Sequence, residues 1–259
     1  QGRGLRKFFR ATESIYRIFE LHKYAKEINP DLIIAERTTS YGFIAATLHN
    51  RFPIAIAQQG ITDIYPFRSP LKPVKRMLQK YAFRHATLVH AWGEAMTYSM
   101  IRMGVDPAKI MVLAKGIDLR RYKYKPVHYT GEVHAIVTRS LTPDYRHATI
   151  LKAIEIVKKN GIPIKLTIVG SGFLKTKLEA LAAGLGVADN VKFTGVIPND
   201  ELPDYLAECD LYISMPCTEG VSSSLFEAFA SGCYPMVTDV PGNRAWIKDK
   251  INGMLIKTD

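Results

Sequence analysis

Short apolar runs alternate with helical patterns along the whole chain, and this alternation restricts the possible folds more than any other feature. Strands separated by helices favour a parallel sheet with helices on both faces. Since 259 residues exceed the usual size of one domain, we expect an α/β chain of two such domains. The predicted strands are 31–35, 53–57, 87–90, 110–113, 133–138, 164–169, 191–193, 210–214 and 234–237, and the predicted helices are 5–28, 41–50, 74–85, 93–103, 147–160, 173–184, 200–208 and 224–231.

Positive charge is concentrated in the first half of the chain. Residues 1–130 contain 22 Lys and Arg against 9 Asp and Glu, a net charge of +13. Residues 131–259 contain 13 against 15, a net charge of −2. The first half is therefore predicted to meet an anionic partner, with nucleic acid, a membrane surface and a phosphorylated substrate all open at this point.

The sequence argues against several classes of protein. No apolar run reaches the roughly 18 residues of a membrane-spanning helix, and no signal-peptide pattern opens the sequence. The histidines are scattered, so we expect no metal site, and the hydrolase elbow and the Walker phosphate loop are both missing. Three cysteines without metal-ligand spacing indicate reduced, mostly buried thiols in a cytosolic protein, with Cys217 acting as a small apolar residue.

Residues 5–28 have the spacing of an amphipathic helix, which Asn29-Pro30 ends. Tyr16 and Phe19 belong to its apolar face, and Arg17 falls elsewhere. Such a face either packs on the domain or lies on a membrane surface. We expect packing, because most amphipathic helices face a protein core.

Three features near the carboxyl ends of predicted strands are candidates for ligand binding. The first is the polar loop at Gln59-Gly60. The second is Gly170-Ser171-Gly172, whose main chain can approach a phosphate, although the missing third glycine of the dinucleotide fingerprint counts against a nicotinamide oxidoreductase. The third is the pair Arg139 and Arg146, two guanidinium groups before a helix, which suit a diphosphate.

The stretch from Glu219 to Glu227 links an apolar strand to a helical pattern. It therefore puts a helix N-terminus at the carboxyl end of a strand, where unpaired N–H groups and the helix dipole attract an anion such as phosphate. The two carboxylates can bond the hydroxyls of a sugar or a ribose. Glu227 has a second interpretation as the partner of Ser224 in a capping box, and spacing alone leaves both open.

These features together resemble the retaining family 4 glycosyltransferases, in which seven residues separate two glutamates. The similarity in order and spacing extends over Val169–Gly172, Val191–Pro198, Asp210–Pro216, Glu219–Gly232 and Asn252–Leu255, and more loosely over nearly the whole chain. The resemblance implies the GT-B fold, two Rossmann-like parallel-sheet domains that face each other across a cleft. Residues 1–122 would form the acceptor-side domain and residues 123–259 the donor domain, with both ends of the chain truncated relative to the family.

The resemblance also implies the roles of individual residues. A sugar would move, with retention of its anomeric configuration and without a metal or other cofactor, from a UDP-, GDP- or ADP-sugar to a glycan or lipid-linked acceptor. Arg139 and Arg146 would hold the diphosphate, Glu219 would contact the sugar, and Glu227 would bond the ribose. The implied donor-binding residues are Gly170, Gly172, Gly195, Val196, Ile197, Gly220, Val221, Ser222, Ser223 and Glu227, and the acceptor-side residues are Gln59 and Gly60.

Charge and resemblance together predict a cytoplasmic glycosyltransferase whose basic half associates peripherally with an anionic membrane, and nucleic acid is not expected as a partner. Gln59 departs from the family, which often has His there. Two alternatives remain open. One is a sugar-nucleotide epimerase or phosphorylase of the same fold, although no pyridoxal phosphate motif is present. The other is a non-catalytic member that holds nucleotide, RNA or membrane.

Overall fold

The computed structural model describes residues 16–58, 72–114, 116–126 and 131–257. The chain divides into two compact units, Gln1–Ala114 and Lys115–Asp259. The sequence prediction put the division after residue 122. The structure puts it earlier because Ile117 and Tyr122 pack into the core of the second unit.

The first unit has a parallel sheet whose described strands follow chain order, β1-β2-β3-β4. Strand β2 is buried at every residue, which explains its continuous apolar sequence. A π-helical turn at Thr38–Gly42 precedes the short helix α2 where one longer helix was predicted. The elements are α1 (16–28), β1 (Ile33–Glu36), α2 (Phe43–Ala46), β2 (Ile54–Gln58), α3 (Lys72–His85), β3 (Leu88–Ala91), α4 (Glu94–Arg102) and β4 (Ile110–Val112).

Helix α1 packs on the core of the first unit, as predicted, but through a different face. Ala25 is buried and Leu21 packs against the core, whereas Tyr16 is 62% exposed and Phe19 is 70% exposed. The assignment of Tyr16 and Phe19 to the packed face is therefore wrong. Residues 5–15 of the predicted helix lie outside the described residues.

The second unit has a six-stranded parallel sheet in the order β10-β9-β8-β5-β6-β7. The chain runs outward from β5 to β7, then crosses back to β8 on the other side of β5 and continues to β10. This reversal is a topological switch point, where open α/β sheets form a crevice at the carboxyl ends of their strands. The elements are β5 (Val133–Thr138), α5 (His147–Lys159), β6 (Ile164–Val169), α6 (Lys175–Gly184), β7 (Val191–Gly195), α7 (Leu202–Ala207), β8 (Leu211–Ser214), α8 (Ser223–Ser231), β9 (Tyr234–Thr238), α9 (Pro241–Arg244) and β10 (Met254–Ile256).

Both faces of this sheet are covered by apolar side chains. Along β5, Ala135 and Val137 belong to one core cluster, while Ile136 belongs to another that includes Leu225 of α8. Side chains of a strand alternate between its faces, so the strand is fixed from both sides. The residues that follow its last position, Thr138, are consequently held in a defined place.

The described residues contain no helix that is both long enough and apolar enough to cross a bilayer. The three cysteines are free thiols, with Cys233 buried and Cys209 half-buried. Burial raises the pKa of both of these thiols to about 12, so they stay protonated. Cys217 is exposed, and the prediction that it is a buried apolar residue is wrong because it lies in the loop after β8.

Candidate functional site

Arg139 is the centre of a polar network at the switch point of the second sheet. It directly follows β5, and its Nε donates to Ser214 Oγ at 2.9 Å. Its Nη2 donates to Glu219 Oε2 at 2.8 Å and also to Ser222 Oγ. Since β8 lies beside β5, the last residue of β8 and the loop that follows meet the first residue after β5. The fold thus brings together an arginine and a glutamate eighty positions apart in sequence.

The ion pair between Arg139 and Glu219 is largely withdrawn from solvent, since the two side chains are 13% and 15% exposed. Burial by itself acts to lower the pKa of Arg139, but Tyr212, Glu219 and Tyr145 outweigh it and the pKa is raised above its ordinary value. The guanidinium carbon lies 5.2 Å from the centre of the Tyr145 ring, within the range of a cation–π contact. Arg139 is therefore a fixed positive charge whose surroundings are already ordered.

Gly242 fixes the main chain that carries Glu219. A Cβ at Gly242 would lie 2.3 Å from the carbonyl oxygens of both Glu219 and Gly220, so any larger residue would displace this loop. Gly242 belongs to the short helix α9, for which the sequence carries no periodic pattern. The loop after β8 therefore depends on close packing against a segment that follows β9.

Helix α8 begins two residues earlier than the predicted capping box, with Ser224 as its N-cap, requires. Its N-cap is Ser222, whose Oγ accepts a hydrogen bond from the Leu225 N–H at 3.3 Å. With this cap the third helical residue is Leu225, and Glu227 lies two residues further along. The capping-box interpretation of Glu227 is therefore wrong. Its side chain instead meets the hydroxyl of Tyr122.

Glu227 lines a cavity of about 280 Å³ beside this network. Three other predicted donor-binding residues, Gly170, Val196 and Ile197, line the same cavity. Val196 is 75% exposed, which leaves an apolar side chain open at the rim. Residues that the prediction did not include complete the lining: Thr138, Val169, Pro198, Asn199, Leu202 and Ser224.

The predicted glycines hold the loop after β6 against the loop after β5. A Cβ at Gly170 would lie 2.4 Å from the Arg139 carbonyl oxygen, and one at Gly172 would lie 2.3 Å from that of Leu141. The Gly170 N–H donates to the carbonyl oxygen of Gly195 at 2.7 Å, which ties β7 to the same loop. The close approach that requires these glycines is thus one between protein segments, and it supports the main chain of Arg139.

Arg146 lies outside the Arg139 network. It adopts the left-handed conformation with φ 47°, and its Nη1 donates to the Pro216 carbonyl oxygen at 3.1 Å. The next residue, His147, is the first of α5 and is 1% exposed. Burial lowers the pKa of His147 to about 4 and outweighs the opposite effect of the Arg139 backbone, so the ring is neutral near pH 7.

Of the remaining predicted site residues, three lie at the start of α8 and two lie outside the described residues. Gly220 and Val221 are buried in the loop before α8, and Ser223 is its half-buried first residue. Gln59 and Gly60 lie outside the described residues. No group of three or more His, Cys, Asp or Glu that could hold a metal ion occurs within the described ranges.

Sequence reasoning missed several residues that build the site. Ser214 could have been found, since it is a polar residue at the carboxyl end of a predicted strand. Tyr122, Tyr145 and Gly242 carry no local signal, because their roles depend on contacts with distant segments. A buried cation, a helix N-terminus and a cavity with a carboxylate together suit a ligand that joins an anionic group to hydroxyl groups.

Two family models match the sequence. The model described as glycosyl transferases group 1 matches residues 120–259, more than half of the chain. The model described as Glycosyltransferase Family 4 matches residues 2–121. The first match includes all the described residues of the Arg139 network and of the adjacent cavity.

Known proteins resemble the chain over different lengths. The amylovoran biosynthesis glycosyltransferase AmsK of Erwinia amylovora is 27% identical over 61% of this chain and 40% of its own length. A galactosyltransferase of Escherichia coli that uses UDP-Gal and α-D-GlcNAc-diphosphoundecaprenol is 24% identical over 98% of this chain and 68% of its own length. The match to AmsK therefore spans about two fifths of that relative.

Among solved structures, HepE of Anabaena in complex with UDP superposes with a TM-score of 0.79 at 21% identity, over 93% of this chain and 68% of HepE. This similarity concerns the fold, and it confirms the predicted GT-B class.

Proposed function

This chain belongs to the glycosyl transferases group 1 family, and from that premise we propose that it moves a sugar from a nucleotide-sugar to a glycan or lipid-linked acceptor. The observation that carries the proposal is the buried Arg139–Glu219 pair beside a cavity lined by Glu227. Arg139 of this pair is a fixed cation at a crevice, and the cavity offers a carboxylate for hydroxyl groups. HepE in complex with UDP and the galactosyltransferase that uses UDP-Gal add support from the same fold and family.

Each part of the donor has a group that suits it. Arg139 and the N–H groups at the start of α8 would stabilise the diphosphate. Arg146, which donates to Pro216 in the loop after β8, would be a second cation. Glu227 would accept hydrogen bonds from the ribose hydroxyls, while the main chain at Val196 and Ile197 would border the base. Glu219, oriented by its hydrogen bond from Arg139, would accept a hydrogen bond from the transferred sugar.

We propose that transfer retains the anomeric configuration. The bond between the anomeric carbon and the diphosphate oxygen would break, and the acceptor oxygen would bond that carbon on the same face. The acceptor proton would pass to the leaving diphosphate, so the step balances without a metal or another cofactor. Stabilisation of the negative charge that develops on the diphosphate would then be the main catalytic effect, and Arg139 would supply it.

Helix α3 supports a location at the cytoplasmic face of an anionic membrane. Every charged residue in its sequence is basic, and Lys72, Arg76 and Lys80 line a cavity of about 570 Å³ with Met77. Met77 is 62% exposed and Val74 is 49% exposed. Cations next to exposed apolar side chains are the features by which a helix lies on an anionic bilayer. A lipid-linked acceptor would be reached from such a surface.

The proposal is tested by measuring sugar transfer from UDP-, GDP- and ADP-sugars to undecaprenyl-diphosphate-linked sugars in the full chain. Glu219→Ala should lower the rate by about a hundredfold or more, because the sugar loses an oriented acceptor. Glu179→Ala, which removes an exposed carboxylate of the same unit, should leave the rate unchanged. Full activity in Glu219→Ala would contradict the assigned role. Product formation without an acceptor would instead favour an epimerase.

A further inference from the structure

The lead-in segment, residues 116–126, is the start of the second unit and packs along α8. Tyr122 is only 9% exposed and belongs to the same apolar cluster as Leu225 and Ala228 of that helix. The Lys125 N–H donates to the carbonyl oxygen of Ser231, the last residue of α8, at 3.2 Å. The segment is therefore held at its centre and near its end.

Gly232, which terminates α8, packs closely against the main chain of this segment. It has φ 85°, and a Cβ there would lie 2.0 Å from the Lys125 carbonyl oxygen. Such a contact leaves room for glycine alone. The position of Tyr122 along α8 is consequently fixed by main-chain packing as well as by its own ring.

Within this arrangement the Tyr122 ring packs on the helix that carries Glu227, and its hydroxyl is hydrogen-bonded with the Glu227 side chain. Burial raises the pKa of Tyr122 to about 12, and the charge of Glu227 and a side-chain hydrogen bond with it act in the same direction. The phenol therefore keeps its proton at neutral pH, and its O–H donates a hydrogen bond to the carboxylate of Glu227. A carboxylate accepts several hydrogen bonds, so the bond from Tyr122 leaves Glu227 able to accept others from a ligand in the cavity that it lines.

The neighbouring residue of the lead-in segment contacts another part of the same cavity. Arg121 Nη2 donates to the Asn199 carbonyl oxygen at 2.5 Å, and Asn199 is one of the lining residues. Two consecutive residues, Arg121 and Tyr122, thus reach two different lining residues. The segment therefore contacts the cavity lining at two points, in addition to packing along α8.

We propose that Tyr122 is a positioning residue for the donor, holding Glu227 in the orientation that accepts the ribose hydroxyls. This inference rests on the proposed function, since it assumes that a nucleotide occupies the cavity. A flexible glutamate would lose conformational freedom when the ribose binds, whereas one already held by Tyr122 would lose less. Removal of the Tyr122 hydroxyl should therefore weaken the recognition of ribose in particular.

The test compares nucleotides with and without ribose hydroxyls in the full chain. Calorimetry would measure the binding of UDP, GDP and ADP and of their 2′,3′-dideoxy counterparts to wild type and to Tyr122→Phe, which keeps the buried ring. The nucleoside diphosphate that binds best should bind Tyr122→Phe about five- to twentyfold more weakly, while its dideoxy counterpart should change by less than about twofold. Tyr124→Phe, at a 72% exposed position in the same segment, should match wild type for both ligands.

A second variant identifies the partner through which Tyr122 acts. Glu227→Gln should lose most of the preference for the ribose hydroxyls, and the double variant Tyr122→Phe/Glu227→Gln should lose no more than Glu227→Gln alone. Equal weakening of both ligands by Tyr122→Phe would show a merely structural role and overturn the proposal. An unchanged affinity in Tyr122→Phe would overturn it too.

The outcomes also separate this proposal from the proposed function. Wild-type binding of a nucleoside diphosphate with no preference for the ribose hydroxyls would overturn the role of Tyr122 and leave the donor site standing. Absence of binding by all three nucleoside diphosphates would overturn both proposals together.

Discussion

The two units order their parallel strands differently, and the candidate site lies at the reversal of strand order in the second unit. In the first unit the four described strands follow chain order across the sheet, while in the second the order reverses beside β5. Only a reversal separates the loops of adjacent strands to opposite faces, which opens a crevice at their carboxyl ends. In the second unit Arg139 and Ser214, from two strands at that reversal, are hydrogen-bonded there.

The cations of the two units differ in burial and in pairing. In the second unit the cation of Arg139 is buried, paired with Glu219 and held by hydroxyl groups. In the first unit Lys72, Arg76 and Lys80 of α3 are exposed beside exposed apolar side chains. Buried, oriented charge favours one ligand geometry, whereas exposed charge attracts any anionic surface. The comparison indicates that small-molecule specificity belongs to the second unit and surface attraction to the first.

The largest expected effect is the loss of stability when the buried ion pair of the second unit is broken. Breaking an exposed ion pair of the first unit provides the comparison. Arg139→Met leaves Glu219 buried without its cation and should lower the free energy of unfolding of the second unit by about 3–5 kcal/mol. Lys23→Met breaks the exposed pair with Glu27, whose side chains are 75% and 55% exposed, and should cost the first unit less than about 0.5 kcal/mol. Each cost is measured by urea unfolding.

The chain offers one tryptophan probe for each unit in this experiment. Fluorescence of Trp92 follows the first unit in a Trp246→Phe background, and fluorescence of Trp246 follows the second in a Trp92→Phe background. Arg139→Met/Glu219→Gln should recover most of the lost stability, since it removes both charges. Equal costs for the buried and the exposed pair would contradict the distinction between the units.

A somewhat smaller effect is expected from the neutral histidine behind the site. The folded-state pKa of His147, about 4, lies below its ordinary value of 6.5, so the unfolded chain binds more protons between these values. The contribution of His147 to stability is therefore complete above pH 6.5 and is lost as the pH falls to 4, a change on the order of 3 kcal/mol. His147→Leu should remove this part of the pH dependence of urea unfolding followed through Trp246.

The matched control for this pH dependence is His134→Gln, which changes a partly exposed histidine beside Glu132 and should keep the wild-type slope. An unchanged slope in His147→Leu would show that the buried ring does not control acid stability.

The smallest effect concerns the surface of the first unit. Lys72→Gln/Arg76→Gln/Lys80→Gln should weaken binding to phosphatidylglycerol vesicles by about a hundredfold at low salt, at about 1 kcal/mol for each charge near the bilayer. The affinity of this triple variant for nucleoside diphosphate should not change. Co-sedimentation with vesicles at several salt concentrations measures the first quantity and calorimetry the second. The control, Lys152→Gln/Lys175→Gln/Lys177→Gln, removes three exposed charges from the second unit, and equal losses in both triple variants would contradict a specific surface.

Buried parallel strands could be predicted well from the sequence. The bounds predicted for β5 and β6 are those observed. The buried apolar residues 135–137 mark β5, and the buried residues 164, 166, 168 and 169 mark β6. The short elements α9 and β10 were missed, since three or four residues carry too little periodicity.

The site could be predicted only in part, because its contacts join distant segments. Arg139 and Glu219 were selected by their places after strands, but their hydrogen bond depends on the sheet order. The start of α8 was misassigned because residues 222–224 are all serine, and only the extended conformation of Ser222, φ −100° and ψ 111°, makes it the cap. The contact of Glu227 with Tyr122 has no sequence signal at all.

The central claim is that the second unit binds the diphosphate of a nucleotide donor through Arg139. Calorimetric titration of UDP, GDP and ADP into wild type, Arg139→Met and Arg84→Met tests it most directly, with Trp246 fluorescence confirming that the second unit is folded. We predict that at least one nucleotide binds wild type and Arg84→Met equally, since Arg84 is an exposed cation of the first unit. Arg139→Met should bind it about a hundredfold more weakly. Wild-type affinity in folded Arg139→Met would contradict the claim.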